Sequence, residues 1–153
     1  MNCKICSNKV NSLFKHKILS KYEIEYYKCE NCGFIQTETP YWLEEAYQDT
    51  MNLTDTGLVQ RNLILAKKTA SIIFFFFNGK SKYLDYGGGY GMFVRLMRDI
   101  GLDFYWSDKF AKNLMARSFE YNEESKYELI TSFETFEHFE DPIMEIENML
   151  NYS

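Results

Sequence analysis

The run Leu84-Asp85-Tyr86-Gly87-Gly88-Gly89-Tyr90-Gly91, continuing into Met92-Phe93-Val94-Arg95-Leu96-Met97-Arg98, constrains this chain more than any other feature. It predicts a short strand that ends in a glycine turn and passes straight into a helix. Gly87, Gly89 and Gly91 alternate, and Asp85 stands two residues before the first of them. Glycine permits positive φ and lets a ligand approach the main chain, while the following helix opens with free N–H groups.

A second acid stands in register with the first. Gly101 turns the chain after the predicted helix, and Leu102-Asp103-Phe104-Tyr105-Trp106 reads as another strand. Asp108 falls at its C-terminal tip, 23 positions after Asp85. An ionised carboxylate only accepts hydrogen bonds and can take two hydroxyl donors at once. Further on, Tyr127 to Phe133 is a strand candidate, followed by Glu134-Thr135-Phe136-Glu137-His138-Phe139-Glu140-Asp141-Pro142. Pro142 suits a first helical position behind Asp141 as N-cap. Ile143, Ile146, Glu147, Met149 and Leu150 then form a rough helical stripe, which predicts a packed helix ending at Leu150.

A dinucleotide fingerprint G-x-G-x-x-G would need glycine where Met92 stands. The spacing D-x-G-x-G-x-G instead resembles motif I of the class I S-adenosylmethionine (SAM) methyltransferases, and Glu137-His138 with Asp141-Pro142 resembles the family's segment after its fourth strand. The resemblance implies an α/β, Rossmann-like parallel sheet. It also implies a SAM site built from Asp85, Gly87, Gly89, Gly91, Asp108 and Phe133. Asp85 would suit the ligand's ammonium, and Asp108 the ribose hydroxyls. Lys109 to Lys126 is short for a helix plus a third strand, so Glu120 is the nearest candidate for an acid by the adenine and Phe119 for a stacking ring. The plain alternative is a flexible turn with Asp108 as a helix cap.

All four cysteines lie near the N-terminus, as Cys3-x-x-Cys6 and Cys29-x-x-Cys32. Two such knuckles about twenty residues apart match a tetrahedral Cys₄ zinc ribbon. Leu13 to Leu19 and Tyr22 to Lys28 alternate as a hairpin turning near Ser20-Lys21, and Gly33 supplies a tight turn after the second knuckle. Two disulfides would need an oxidising compartment, and a redox CxxC would open a helix. The expectation is one structural zinc, with its shell closed by four thiolates. His16 is then a strand-surface residue rather than a ligand.

Between these parts the chain predicts a helical linker or lid. Thr39-Pro40 opens a helix carrying Trp42, Leu43, Ala46 and Tyr47, Asp49 to Thr56 is a polar loop, and a long helix runs from about Gly57 to Phe77. Tyr47 and Arg61 could reach a ligand, although core and surface roles are the simpler expectation. The run Ile72-Ile73-Phe74-Phe75-Phe76-Phe77 is too short to span a bilayer, which needs ~20 residues. A buried helix end feeding the first strand accounts for it. The domain expectation is therefore a ribbon over 1–40, a helical segment over 41–79 and a partial SAM-binding domain over 80–153.

Relative to the resembled family the chain lacks a fifth strand and a final antiparallel pair. It reads as a C-terminally truncated sheet, so a fragment, or an oligomer in which a second copy or another chain covers the exposed edge, is expected. The net charge of −5 would become about −7 with a zinc tetrathiolate. That disfavours a nucleic-acid backbone as partner and leaves a small molecule. With no apolar leader behind Met1-Asn2-Cys3-Lys4, a cytoplasmic location without membrane attachment is expected.

The subgroup with an N-terminal four-cysteine domain includes sugar C-methyltransferases acting on nucleotide-linked deoxysugars, and the resemblance extends to it. The sulfonium of SAM already activates its leaving group, so the protein aligns the reactants and removes a proton. His138 has the unperturbed pKa for that base, and Glu137 would orient it or serve instead. His138 as a loop cap is the bland counterpart. Two alternatives stand beside the enzyme: an inactive SAM- or partner-binding module, and an RNA methyltransferase whose ribbon lysines grip RNA.

Overall fold

A computed structural model describes residues 1–46 and 56–153 of the chain. The chain divides into two compact units, Met1–Gln48 with His138–Glu147 and Asp49–Glu137 with Asn148–Ser153. Tyr47 and most of the expected polar loop lie outside the described residues.

The first unit is built on a three-stranded antiparallel sheet in the order β1-β2-β3, with β1 at Val10–Ile18, β2 at Tyr22–Cys29 and β3 at Ile35–Thr37. The expected hairpin is present. Leu19 and Ser20 both adopt positive φ, and Lys21 N–H donates to the Ile18 carbonyl at 3.2 Å, the geometry of a tight hairpin turn. Gly33 takes φ +76° and donates to the Cys29 carbonyl at 2.9 Å. β3 was not foreseen, because three residues are too few to show a period. The helix expected from Thr39-Pro40 begins at Leu43, and its described part is α1 at Leu43–Ala46. His16 is exposed on β1, as expected of a strand-surface residue.

The second unit holds a parallel sheet in the order β5-β4-β6, with β4 at Lys82–Tyr86, β5 at Asp103–Ser107 and β6 at Leu129–Thr131. Residues 119–121 run parallel beside Trp106, which exchanges backbone bonds with Phe119 and Tyr121 at 2.8 and 2.7 Å. This is all that forms of a third strand. Helices α2 (Leu58–Phe76) and α3 (Met92–Asp99) pack together. Ile73 of α2, Phe93, Val94 and Met97 of α3, and Tyr83 and Phe104 of the sheet form the heart of its core. Burying these side chains stabilises the unit by roughly 1.5–3 kcal/mol each before chain entropy is counted.

Two expectations about apolar surface are corrected. Only Ile73 of the Phe-rich run is fully buried, while Phe74, Phe75 and Phe76 are 64%, 82% and 80% exposed. Helical geometry explains this: consecutive residues fan out by about 100°, and the inward stripe is already filled by Ala66, Thr69, Ala70 and Ile73. The last helix, α4 at Pro142–Leu150, forms over the expected residues, with Met144 N–H on Asp141 Oδ1 at 3.1 Å. Its stripe is not packed, however. Pro142 is its only buried residue, and Ile143, Ile146 and Leu150 are exposed. Its cap and Pro142 favour the helix locally. Among the described residues no helix is long and apolar enough to cross a membrane.

Candidate functional site

β4 carries Asp85 into the interior, where the residue is 3% exposed. Thr131 on β6 donates its hydroxyl to Asp85 Oδ1 at 2.7 Å. Burial raises the Asp85 carboxyl from its usual range to about 7; the Thr131 bond opposes the rise and the charge of Asp108 adds to it. The chain then turns sharply. Gly87 and Gly88 N–H groups both donate to the Ser107 carbonyl, at 2.8 and 3.0 Å, which ties the turn to the end of β5. Gly91 caps α3 in the left-handed region at φ +85°, and a Cβ there would stand 2.9 Å from that of Ala116. No other residue type fits that position without strain.

Gly89 is the half-buried crest of the turn. Its N–H donates to Asp108 Oδ2 at 2.9 Å and its carbonyl accepts from Trp106 Nε1 at 2.8 Å. A Cβ added to Gly89 would meet nothing within 4 Å, so the space above the turn is open. Asp108 Oδ1 accepts from the N–H groups of Phe110 and Ala111 at 2.8 and 2.7 Å. Three of the roughly four acceptor sites of the carboxylate are thus used, and one on Oδ2 remains for a ligand hydroxyl. The turn, the buried acid and the second acid lie together at the C-terminal ends of parallel strands, the place where open α/β sheets bind ligands.

The family model described as a methyltransferase domain matches residues 59–153. The chain belongs to that methyltransferase family. The match takes in α2 from its second residue, the whole parallel sheet, the glycine turn and α4. The mixed α/β content and parallel sheet of the methyltransferase domain fit a Rossmann-like fold. The search of curated proteins finds no match.

Within the methyltransferase domain, Phe133 stacks edge-on against Phe93 at 5.1 Å and is partly buried against the core. Its ring is thereby a wall of the core beside the loop that follows β6. Thr135 in that loop comes so near Gly87 that a Cβ on the glycine would lie 2.4 Å from the threonine methyl. The secondary adenine candidates are both engaged. Arg98 lies 3.5 Å over the Phe119 ring, and Glu120 accepts from Asn113 at 2.8 Å. Arg61, a helix-face cation, lies 4.0 Å from Glu134. Glu137 and His138 are exposed in a one-turn 3-10 helix, Phe136–His138, and the boundary between the two compact units falls between them.

The four cysteines converge in the first unit. All four Sγ atoms lie within 4.8 Å of one another and could hold a metal ion. Cys3 and Cys32 are 3.6 Å apart, Cys6 and Cys29 3.5 Å, and none is disulfide-bonded. A tetrahedron with zinc–sulfur bonds of about 2.3 Å has edges near 3.8 Å, so the donor set fits zinc. Amide donors surround the sulfurs. Asn8 and Asn31 reach Cys6 at 3.5 and 3.6 Å, and Ile5 N–H reaches Cys3 at 3.4 Å. Asn8, through backbone and side chain, and then Asn31 lower the Cys6 thiol to about 6, while burial and the neighbouring sulfurs raise Cys32, so the cluster shares its protons as one group. Gln36 braces the first knuckle from β3, accepting from Lys4 N–H at 2.9 Å and donating to the Asn2 carbonyl at 3.1 Å.

Sequence inspection missed Thr131, Trp106 and Gln36. Each acts through a contact that spans at least 17 residues and belongs to no motif. Only Thr131 carried a signal, a polar side chain within an otherwise apolar part of its predicted strand.

Proposed function

We propose that this chain is a SAM-dependent methyltransferase acting on a small molecule, with a nucleotide-linked sugar as acceptor class and one structural zinc in an N-terminal ribbon. The observation that carries the cofactor assignment is Gly89, fixed by Asp108 and Trp106 with open space above it and the buried Asp85 carboxyl nearby. A ligand bearing an ammonium and a ribose diol matches those two acids. Asp85 would hold the ammonium, Asp108 a ribose hydroxyl through its remaining acceptor site on Oδ2, and Gly87, Gly89 and Gly91 would leave room against the main chain. Phe133 would close the apolar side.

SAM supplies an electrophilic methyl group. The protein aligns the acceptor in line with it and takes the acceptor's proton, a role proposed for an imidazole nitrogen of His138 with Glu137 orienting the ring. Cys3, Cys6, Cys29 and Cys32 would bind zinc as a closed tetrahedral shell, stabilising a unit that buries few side chains besides Ile24 and Trp42.

Incubation of the zinc-loaded chain with methyl-labelled SAM and a panel of nucleotide-linked deoxysugars tests the assignment. Label in a sugar is the expected outcome. Label only in RNA would transfer the assignment to nucleic acid. Tight cofactor binding without transfer to any acceptor would favour the inactive binding module.

A further inference from the structure

Thr131 belongs to none of the motifs, yet its hydroxyl has two acceptors within reach. Asp85 Oδ1 is 2.7 Å away and the Leu84 carbonyl oxygen 3.3 Å away, both in the interior. A hydroxyl carries one proton and cannot donate to both. The pair therefore has two hydrogen-bonded states. With Asp85 ionised, Thr131 donates to the carboxylate. With Asp85 protonated, the acid donates to Thr131 Oγ1 and the threonine turns its own hydrogen to Leu84.

The charges around Asp85 favour the protonated state in the free protein. Asp108 is the charged neighbour that acts on it, and it is repulsive. On the packed elements, Arg98 is held by Asp103 at 2.8 Å and Arg95 by Asp99 at 2.8 Å. Lys82 bonds Ser125 at the opposite end of β4, Glu128 precedes β6 and acts on Tyr83, and Arg61 faces Glu134. Among the described residues, no cation is among the groups that act on Asp85. Burial and Asp108 raise its carboxyl to about 7, with Thr131 opposing.

Resting on the SAM assignment, we propose that Asp85 is protonated while the site is free, held so by its burial and by Asp108, and that Thr131 is a positioning residue that receives it as a carboxylate when the ligand's ammonium arrives, so that ligand uptake releases a proton. The Asp85 O–H bond breaks, the proton passes to buffer, and the ammonium supplies the missing countercharge. No electrons are transferred.

Calorimetric titration with S-adenosylhomocysteine, in buffers of differing ionisation enthalpy, counts the protons. Release should approach one per ligand at about pH 6, half near pH 7, and vanish above about pH 8.5. Thr131→Val loses the donor that favours the carboxylate. Its release should extend about one pH unit higher, with affinity near pH 7 down about fivefold and recovering in base, while Thr131→Ser behaves as wild type. Binding without pH-dependent release, or an unchanged Thr131→Val profile, overturns the proposal and leaves the SAM assignment standing. Release that persists in Asp85→Asn but disappears in His138→Gln assigns the proton to the histidine and also overturns it. No binding by wild type at millimolar ligand overturns the SAM assignment, and this proposal with it.

Discussion

Gly89 donates its N–H to Asp108 Oδ2 at 2.9 Å, joining the turn after β4 to the tip of β5. Two residues 19 apart in sequence thereby become one surface. The same carboxylate fastens Phe110 and Ala111, so Asp108 shapes the site before any ligand reaches it.

Asp108→Ala should therefore weaken S-adenosylhomocysteine binding through two effects. It removes the ribose acceptor, at ~1.5–3 kcal/mol per charge-assisted bond, and it frees the crest of the turn. A Kd raised roughly ten- to a hundredfold is expected by calorimetry, with circular dichroism unchanged. An unaltered Kd would remove Asp108 from the site.

The glycines should separate stability from binding. Gly91→Ala forces a Cβ to 2.9 Å from that of Ala116 at φ +85° and should cost ~2 kcal/mol or more, lowering Tm by several degrees. Gly89→Ala at φ +54° meets open space and should cost ~1 kcal/mol, yet its methyl occupies the proposed ligand space. Thermal melts and ligand titrations of the two variants should give opposite rankings.

Much of the site was legible from residue spacing because its parts are local. Asp85, the alternating glycines and α3 follow one another in the chain, and the positive φ at Gly87, Gly89 and Gly91 follows from their lack of a Cβ. The cysteine knuckles were equally plain. Thr131 and Trp106 were not, because their partners are chosen by strand pairing across the sheet. The Phe-rich run misled for a different reason. Hydrophobicity alone does not say which side of a helix is filled, and in α2 small residues took the inward face.

pH should report on Asp85 independently of ligand. Its folded carboxyl stands near 7 against an ordinary value of 3.8, chiefly through burial. Between those values the folded state binds the extra proton, so this group's contribution to stability is present at low pH and is lost as pH rises towards 7. Subtracting the stability profile of Asp85→Asn from that of wild type should expose a decline across about pH 4 to 7. A flat difference would show that Asp85 is ionised throughout.

Zinc should be stoichiometric and structural. Elemental analysis should find one zinc per chain, and Cys29→Ser should lose it, since Cys29 is buried at the end of β2 and its carbonyl receives Gly33 N–H. Chelation should melt the β1–β2 hairpin, because β1 is exposed along nearly its whole length. A metal-free protein with an intact sheet would contradict the assignment.

Titrating the zinc-loaded wild-type chain with S-adenosylhomocysteine and, separately, with NAD is the most direct test of the cofactor site. Saturable one-to-one binding of the first at micromolar concentration, weakened by Asp108→Ala and absent for NAD, is the predicted result. Silence with S-adenosylhomocysteine at millimolar concentration, or saturable binding of NAD in its place, would contradict a SAM site at the glycine turn.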